Sequence, residues 1–156
     1  MTGKHLAQLN VGRLVAPPGD PRVAEFIDNL DRVNAAAERM EGFVWRLQTD
    51  AGNAIDLRFA GDPQTLMNVS VWESADALQA YVFQTIHAQL YRKRANWFQP
   101  MDKPHFVMWW IPAGHRPTIA EAAERLTDLQ DNGPSERAFG WADLPNADIW
   151  RSARCA

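Results

Sequence analysis

Residues 5–14, HLAQLNVGRL, decide the fold, because polar and apolar residues alternate along them as in a half-buried β-strand. A breaker follows at residues 16–21 (APPGDP), where Pro21 suits the first turn of a helix. Apolar residues then recur every three or four positions as far as Met40, and Gly42 supplies the stop. The opening of the chain therefore predicts a strand followed by a long amphipathic helix.

The same strand–helix–strand unit occurs twice. Residues 43–48 (FVWRLQ) and 66–72 (LMNVSVW) read as the second and third strands. Ser74 can cap a second long helix over 75–97, and residues 105–111 form a fourth strand. Both helices can bury their apolar stripes on one face of an antiparallel sheet. The sequence predicts an α+β fold of ferredoxin-like β-α-β-β-α-β topology.

A third helix follows the repeat. Thr118 and Glu121 form a T-x-x-E capping box ahead of its apolar residues. We assign residues 1–135 to one domain that includes this helix, residues 136–156 to a tail or arm, and residues 49–63 to a loop or an irregular hairpin.

The fourth strand has large apolar side chains on both faces, whereas the predicted helices cover only one face. The other face is therefore expected to be buried by a second copy of the chain, as in a homodimer. These side chains are Val107, Trp109 and Ile111 on one face, and Phe106, Met108 and Trp110 on the other. We interpret Trp109 and Trp110 as packing residues, the alternative being stacking platforms for a ligand.

Composition disfavours several classes of protein. The 156 residues carry a net charge of -3 and no basic run, so nucleic acid is not expected as a partner. The only cysteine, Cys155, fits a reducing compartment, and we expect a cytoplasmic protein. No run of 18 apolar residues occurs, so no membrane partner is expected.

Pairs of polar residues interrupt three predicted strands, and the members of each pair lie two residues apart, on one face. The pairs are Gln8 and Asn10, Arg46 and Gln48, and Asn68 and Ser70. If these faces meet beneath the helices, where Asn34 and His87 also point inward, they form a ligand pocket. Its apolar wall would comprise Trp72, Phe83, Tyr91 and Trp97. Alternatively, the polar face is a dimer contact or faces solvent, and the amides bond one another.

His87 is the best candidate for a general acid or base, because the ordinary pKa of histidine is near 6.5 and aromatic neighbours would desolvate it. Its structural alternative is a hydrogen-bonded core histidine. Arg46 could clamp a carboxylate or enolate, or form a surface ion pair. His115 could bind an anion near the third helix, or belong to a plain turn. The usual hydrolase, phosphate-loop, zinc-protease and C-x-x-C motifs are absent, and the four histidines are too scattered to predict a metal site.

Several segments carry a family resemblance. VSVWES, a helix with an inward histidine, a W-F pair and an aromatic strand resemble the dimeric alpha+beta barrel superfamily, which includes antibiotic-biosynthesis-type monooxygenases. HLAQLNVGRL, GFVWRL, NVSVWES and WWIPAGHRPT resemble an uncharacterised bacterial family of unknown function within it. The resemblance extends from about His5 to Gln130. It implies the same fold, a homodimer and a small-molecule ligand.

The resemblance also implies roles for residues. Some members are cofactor-independent oxygenases, in which the carbanion of an aromatic substrate reduces oxygen. In that chemistry, or in an enol-forming cyclisation or isomerisation, His87 would move a proton while Asn10 and Arg46 stabilise an oxyanion. Trp72, Asn34, Asn68, Phe83, Tyr91 and Gln8 would bind the substrate. No cofactor is then expected.

Two alternatives stay open. One is a non-catalytic module that carries a ligand. The other is haem binding through His87 or His115, since one branch of the superfamily degrades haem. Asn10 matches the first residue of that branch's pattern, but Tyr81 replaces its tryptophan and His87 follows about one turn too early.

Overall fold

The computed structural model describes residues 3–47 and 64–143, so the predicted loop at 49–63 and most of the predicted tail lie outside the described residues. Four antiparallel strands pair in the order β2-β3-β1-β4, which is the ferredoxin-like order and confirms the predicted fold class. The strands are β1 (Lys4–Arg13), β2 (Phe43–Arg46), β3 (Thr65–Trp72) and β4 (Phe106–Pro112).

The two long helices that the sequence predicted are each interrupted, which corrects their predicted extent. In the first, Asn29 separates the segments, and its side-chain amide donates to the carbonyl of Glu25. In the second, Thr85 adopts an extended backbone between the segments. The helices are α1 (Ala24–Asp28), α2 (Leu30–Glu38), α3 (Ala75–Gln84), α4 (Ile86–Arg92) and α5 (Ile119–Asn132), with 3₁₀ turns at Pro21–Val23, Arg94–Asn96 and Trp141–Asp143.

The helix-side face of the sheet packs against α2 and α3. Its core joins Leu6 and Trp72 from the strands with Ala37 from α2 and Leu78 from α3. Gln8 and the residues that pair with it on β3 and β4 lie on this same face. The predicted meeting of the polar strand faces beneath the helices is confirmed for the described residues, whereas the predicted partner of Arg46 on the second strand, Gln48, lies outside them.

The opposite face, which we call the α5-side face, is not bare, and this corrects the premise of the predicted dimer. Leu126 and Leu129 of α5 pack there against Leu9, Val107 and Trp109, all of them buried within one chain. The homodimer stays a prediction, and it needs a surface other than the part that α5 covers.

The chain after α5 continues the packed unit beyond residue 135. Phe139 exchanges two backbone hydrogen bonds with Met108 on the free edge of β4, of 2.8 and 3.0 Å. Trp141 then stacks on Phe106, with ring centroids 5.2 Å apart. In the described parts of the chain, no helix has both the length and the apolar character needed to cross a membrane.

Candidate functional site

A hydrogen-bonded polar network lies at the centre of the helix-side face. Gln8 Nε2 lies 2.7 Å from Asn68 Oδ1 and 2.7 Å from Ser70 Oγ, and Trp72 Nε1 donates to the same Ser70 oxygen over 2.9 Å. Gln8 is only 4% exposed. The antiparallel register, which pairs Gln8 with Ser70 across β1 and β3, produces this arrangement. The alternative in which the amides bond one another therefore holds for Gln8 and Asn68.

Two further buried polar side chains adjoin this network. Arg46 lies opposite Ser70 in the register of β2 and β3, is 7% exposed, and places its Nε 3.7 Å from the carboxylate of Glu38. Asn34 lies on the inward stripe of α2 and is 8% exposed. Among the described residues its Nδ2 has no hydrogen-bond partner. A buried donor without a partner costs about 1–3 kcal/mol, so Asn34 is a candidate for binding a ligand.

The interruption between α3 and α4 shapes the surroundings of His87. Thr85 leaves the helical conformation, donates its hydroxyl to the carbonyl of Tyr81 over 2.6 Å and accepts the His87 backbone N–H over 3.2 Å. A continuous helix would direct the Val82 carbonyl to the N–H of Ile86. Here the carbonyl instead lies 3.2 Å from His87 Nδ1.

This contact fixes the tautomer of neutral His87. A carbonyl oxygen can only accept a hydrogen bond, so Nδ1 must carry the proton. Nε2 then presents an unprotonated lone pair, and no hydrogen bond to Nε2 is found among the described residues. Burial lowers the pKa of His87 from its ordinary value of 6.5, although the Val82 carbonyl partly opposes the shift. The residue as a whole is half-buried. These properties suit a general base near neutral pH.

Tyr81 joins the histidine to the strand network. Its ring stacks on Trp72 with centroids 5.3 Å apart and lies 5.0 Å from the ring of His87. Its hydroxyl donates to the carbonyl of Val33 over 3.1 Å. Burial raises the pKa of Tyr81 even though the positive charge of Arg46 acts to lower it. The phenol therefore stays protonated and holds α3 against α2.

The remaining predicted site residues are more dispersed. Asn10 lies on the correct face but at its exposed end. Tyr91 stacks on His87 at 6.1 Å, while Phe83 contacts both Tyr91 and Trp141. The prediction that Trp97 forms a wall of this site is wrong, because Trp97 packs in a separate hydrophobic cluster under α1.

Two surface cavities lie away from the buried network. One, of about 380 Å³, runs between α2 and the start of α4. The other, of about 560 Å³, lies along the outer side of α5. The part of the chain that the structure describes contains no group of three or more histidine, cysteine and carboxylate side chains suited to a metal ion.

His115 already has a hydrogen-bond partner in the first turn of α5. His115 Nε2 lies 2.7 Å from one oxygen of Glu121, and buried Trp109 donates to the other oxygen over 2.9 Å. Thr118 caps the helix as predicted, by accepting the Glu121 N–H. This nitrogen of His115 faces a carboxylate, an arrangement unsuited to binding an anion there.

Sequence reasoning missed Thr85 and Trp141 as parts of this region, and it considered Tyr81 only as the residue at the tryptophan position of the haem-degrading pattern. Tyr81 and Thr85 occupy ordinary positions in an amphipathic pattern, and only the mid-helix threonine carries a signal, since threonine favours helix caps. Trp141 follows a stretch without period, so no local pattern marks it.

The fold and this polar face define an α+β, ferredoxin-like protein with a buried polar site under its helices. The chain belongs to the family DUF3291, a domain of unknown function, whose profile matches residues 5–155. The resemblance to a family of unknown function is thereby confirmed.

Solved structures similar to this chain include the cofactor-independent oxygenase SnoaB from Streptomyces nogalater, 18% identical, covering 72% of this chain and 96% of that one with a TM-score of 0.48. The protein of unknown function NE2512 from Nitrosomonas europaea is 16% identical and covers 76% and 97%, with a TM-score of 0.48. PA3566 from Pseudomonas aeruginosa is 11% identical and covers 74% and 99%, with a TM-score of 0.49. No curated protein matches the chain.

Proposed function

We propose that this chain is a metal-independent enzyme that acts on a hydrophobic, aromatic or polyketide-like small molecule by abstracting a proton next to a carbonyl group. The observation that carries the proposal is His87. Its Nδ1 bonds the Val82 carbonyl, its pKa lies below the ordinary value, and its Nε2 lone pair is free to accept a proton.

The neighbouring groups suit the anion that proton loss would create. Arg46 is a permanently charged donor, and the amide of Asn34 holds an unused N–H in the same buried region. Donors of this kind stabilise an enolate strongly when water is excluded. In the proposal, Tyr91 and Phe83 contact the aromatic substrate, and Gln8 and Asn68 fix the strand surface beneath it. Trp72 is 0% exposed and stacks on Tyr81, so we assign it to the support of Tyr81 and not to the substrate contact predicted from sequence. Asn10 would stabilise the oxyanion from the exposed end of the helix-side face of the sheet.

The resulting carbanion has two outcomes. It can reduce molecular oxygen, as in the cofactor-independent oxygenation that the sequence resemblance implies, or attack a carbonyl of the same molecule in a cyclisation. For an anthrone, oxygenation consumes one O₂ and yields the anthraquinone and one water: the substrate CH₂ loses two hydrogens and gains one oxygen.

The test is turnover of an anthrone, followed by oxygen uptake and by absorbance of the quinone. Replacing His87 by Ala should lower turnover about 100-fold or more, because general-base catalysis contributes on that scale. His105→Ala, which alters an exposed histidine at the start of β4, is the matched control. Equal turnover by wild type and His87→Ala would remove His87 from the mechanism.

The pH profile checks the same group. His87 acts only when neutral, and its pKa lies below 6.5. Turnover should therefore be flat above pH 6.5 and fall as the pH drops through the lowered pKa. A profile that falls between pH 8 and 6.5 would contradict a base with a lowered pKa.

A non-catalytic ligand carrier is the second candidate, and one observation favours it. Gln8, Asn68 and Ser70 already satisfy one another by hydrogen bonds, as in a structural network. This candidate predicts that native mass spectrometry finds a bound small molecule, that no product forms, and that His87→Gln binds it equally well.

Haem binding is tested separately. Added haem should give a Soret band that His87→Ala or His115→Ala abolishes if either ring is the ligand. His115 Nε2 faces Glu121 at 2.7 Å and His87 Nδ1 faces a carbonyl, so a ligating His115 would have to leave its carboxylate. The absence of a band would retire this alternative.

A further inference from the structure

A groove of about 380 Å³ between two helices carries two arginines. Ala35 and Ala36 from α2 and Ile86 from α4 give it an apolar lining, and Arg32 and Arg39 lie toward its two ends. The arginines are seven residues apart, which is two helical turns, so they project from the same side of the helix about 10 Å apart along its axis.

The two guanidinium groups are available to a ligand. Among the described residues neither guanidinium forms an ion pair: Arg32 donates only to the neutral side-chain oxygen of Asn29, over 3.0 Å, and the side chain of Arg39 makes no hydrogen bond. The acidic residue one turn from Asn34, Glu38, instead faces Arg46. A groove with positive ends and an apolar middle is complementary to a flat apolar anion.

The position of the groove connects it to the proposed site. Ile86, which lines the groove, lies between Thr85 at the helix interruption and His87. Ala35 on the groove directly follows Asn34, whose amide lies on the buried side of α2. A molecule seated in the groove therefore lies beside the segment that holds His87.

We infer that this groove binds the carboxylate of an aromatic acid and admits it to the site of His87, an inference that rests on the proposed function and names its substrate class. Arginine forms bidentate hydrogen bonds with a carboxylate, and the small side chains of Ala35 and Ala36 leave room for a planar ring. A neutral aromatic molecule of the same size lacks the charged contact.

The test compares two probes that share one ring system, 2-naphthoate and 2-naphthalenemethanol, by NMR titration of the full chain. We expect 2-naphthoate to bind more tightly and to shift the amide signals of Ala35, Ala36 and Ile86. The double variant Arg32→Gln/Arg39→Gln should weaken naphthoate binding about tenfold, the scale of one charge-assisted hydrogen bond, and leave the alcohol unchanged.

The matched control is Arg92→Gln/Lys103→Gln, which removes two positive charges from exposed positions outside the groove. Equal binding of both probes, an equal loss in the control, or shifts confined to other regions would overturn the inference. If naphthoate binds selectively but anthrone turnover does not depend on His87, only the enzyme proposal fails. If turnover depends on His87 without carboxylate selectivity, only the groove inference fails.

Discussion

The two faces of the sheet differ in chemistry although they share the same strands. On the α5-side face, strand residues such as Val69, Val107 and Trp109 are apolar and fully buried. On the helix-side face, Gln8 and Ser70 are buried too, at comparable depth, and α2 adds Asn34. Burying polar groups stabilises a fold less than burying apolar ones. We therefore expect the α5-side face to contribute more to stability, and the helix-side face to carry the polar groups that the proposed function uses.

The largest expected effect is on the α5-side face. Trp109→Ala removes a side chain of 0% exposure and its hydrogen bond to Glu121, so it should lower the free energy of unfolding by about 3–5 kcal/mol. Denaturant unfolding measures the loss.

Trp110 provides a matched control within the same strand. It is the next residue, points to the other face and is 36% exposed. Trp110→Ala should cost less than half as much as Trp109→Ala. Equal losses of unfolding free energy in the two variants would contradict the expectation that the α5-side face contributes more to stability.

The second effect has the opposite sign. Asn34→Leu removes a buried amide whose Nδ2 has no partner among the described residues, and we expect it to raise the free energy of unfolding by about 1 kcal/mol. The same variant should lose anthrone turnover, because the amide no longer reaches the enolate. Unfolding and turnover are measured on one preparation.

Gln8→Leu is the control for this prediction. Gln8 makes two hydrogen bonds, so its loss leaves Asn68 Oδ1 without this donor and Ser70 Oγ with Trp72 as its donor, and it should destabilise the fold by about 1 kcal/mol. A stabilising Gln8→Leu, or a destabilising Asn34→Leu, would show that hydrogen bonding does not distinguish these residues.

The strands and the shared polar face could be predicted from sequence because both depend on local periodicity, and the fold followed from two consecutive β-α-β units with right-handed crossovers. Alternation in residues 5–14 fixes which side Gln8 takes, and the helical stripe of α2 fixes Asn34. The interruption at Thr85 could not be predicted in the same way, since Tyr81, Val82 and Ile86 continue the apolar pattern across it. Competition between a side-chain hydroxyl and the backbone decides that conformation.

The packing of α5 on the α5-side face could not be predicted from local sequence patterns either. The periodicity of α5 predicts an amphipathic helix but not the surface that the helix covers. Either α5 or a second copy of the chain could bury Trp109 with apolar side chains, so the sequence did not distinguish them. The backbone pairing of Phe139 with Met108 is a long-range contact without a sequence signal.

Thr85 provides the third prediction, on the helix-side face. Thr85→Ala removes the N-cap of α4 and should cost about 1 kcal/mol. It should also favour a continuous helix, which returns the Val82 carbonyl to the backbone and lets the His87 proton move to Nε2. Nitrogen-15 NMR of the imidazole reports the tautomer directly. Thr85→Ser keeps the hydroxyl and should keep the proton on Nδ1; an unchanged tautomer in Thr85→Ala would show that Thr85 does not position His87.

The smallest effect concerns the hydrogen bonds of Glu121 at the start of α5. Burial acts to raise the pKa of Glu121, but hydrogen bonds from His115 and Trp109 outweigh it, so the pKa lies below the ordinary 4.5. A lowered carboxylate pKa stabilises the fold above pH 4.5, and this contribution is lost as the pH falls through the lowered value.

Glu121→Gln keeps an oxygen for Trp109 but loses the charge that holds His115. We expect a cost of about 0.5 kcal/mol at pH 7, and the difference from wild type should shrink as the pH falls below 4.5. Glu124 lies one turn further along α5, 3.4 Å from Arg137. Glu124→Gln should cost less still, because both members of this ion pair are exposed. A cost for Glu121→Gln that does not vary with pH would mean that the hydrogen-bond geometry, and not the charge, holds His115 at the start of α5.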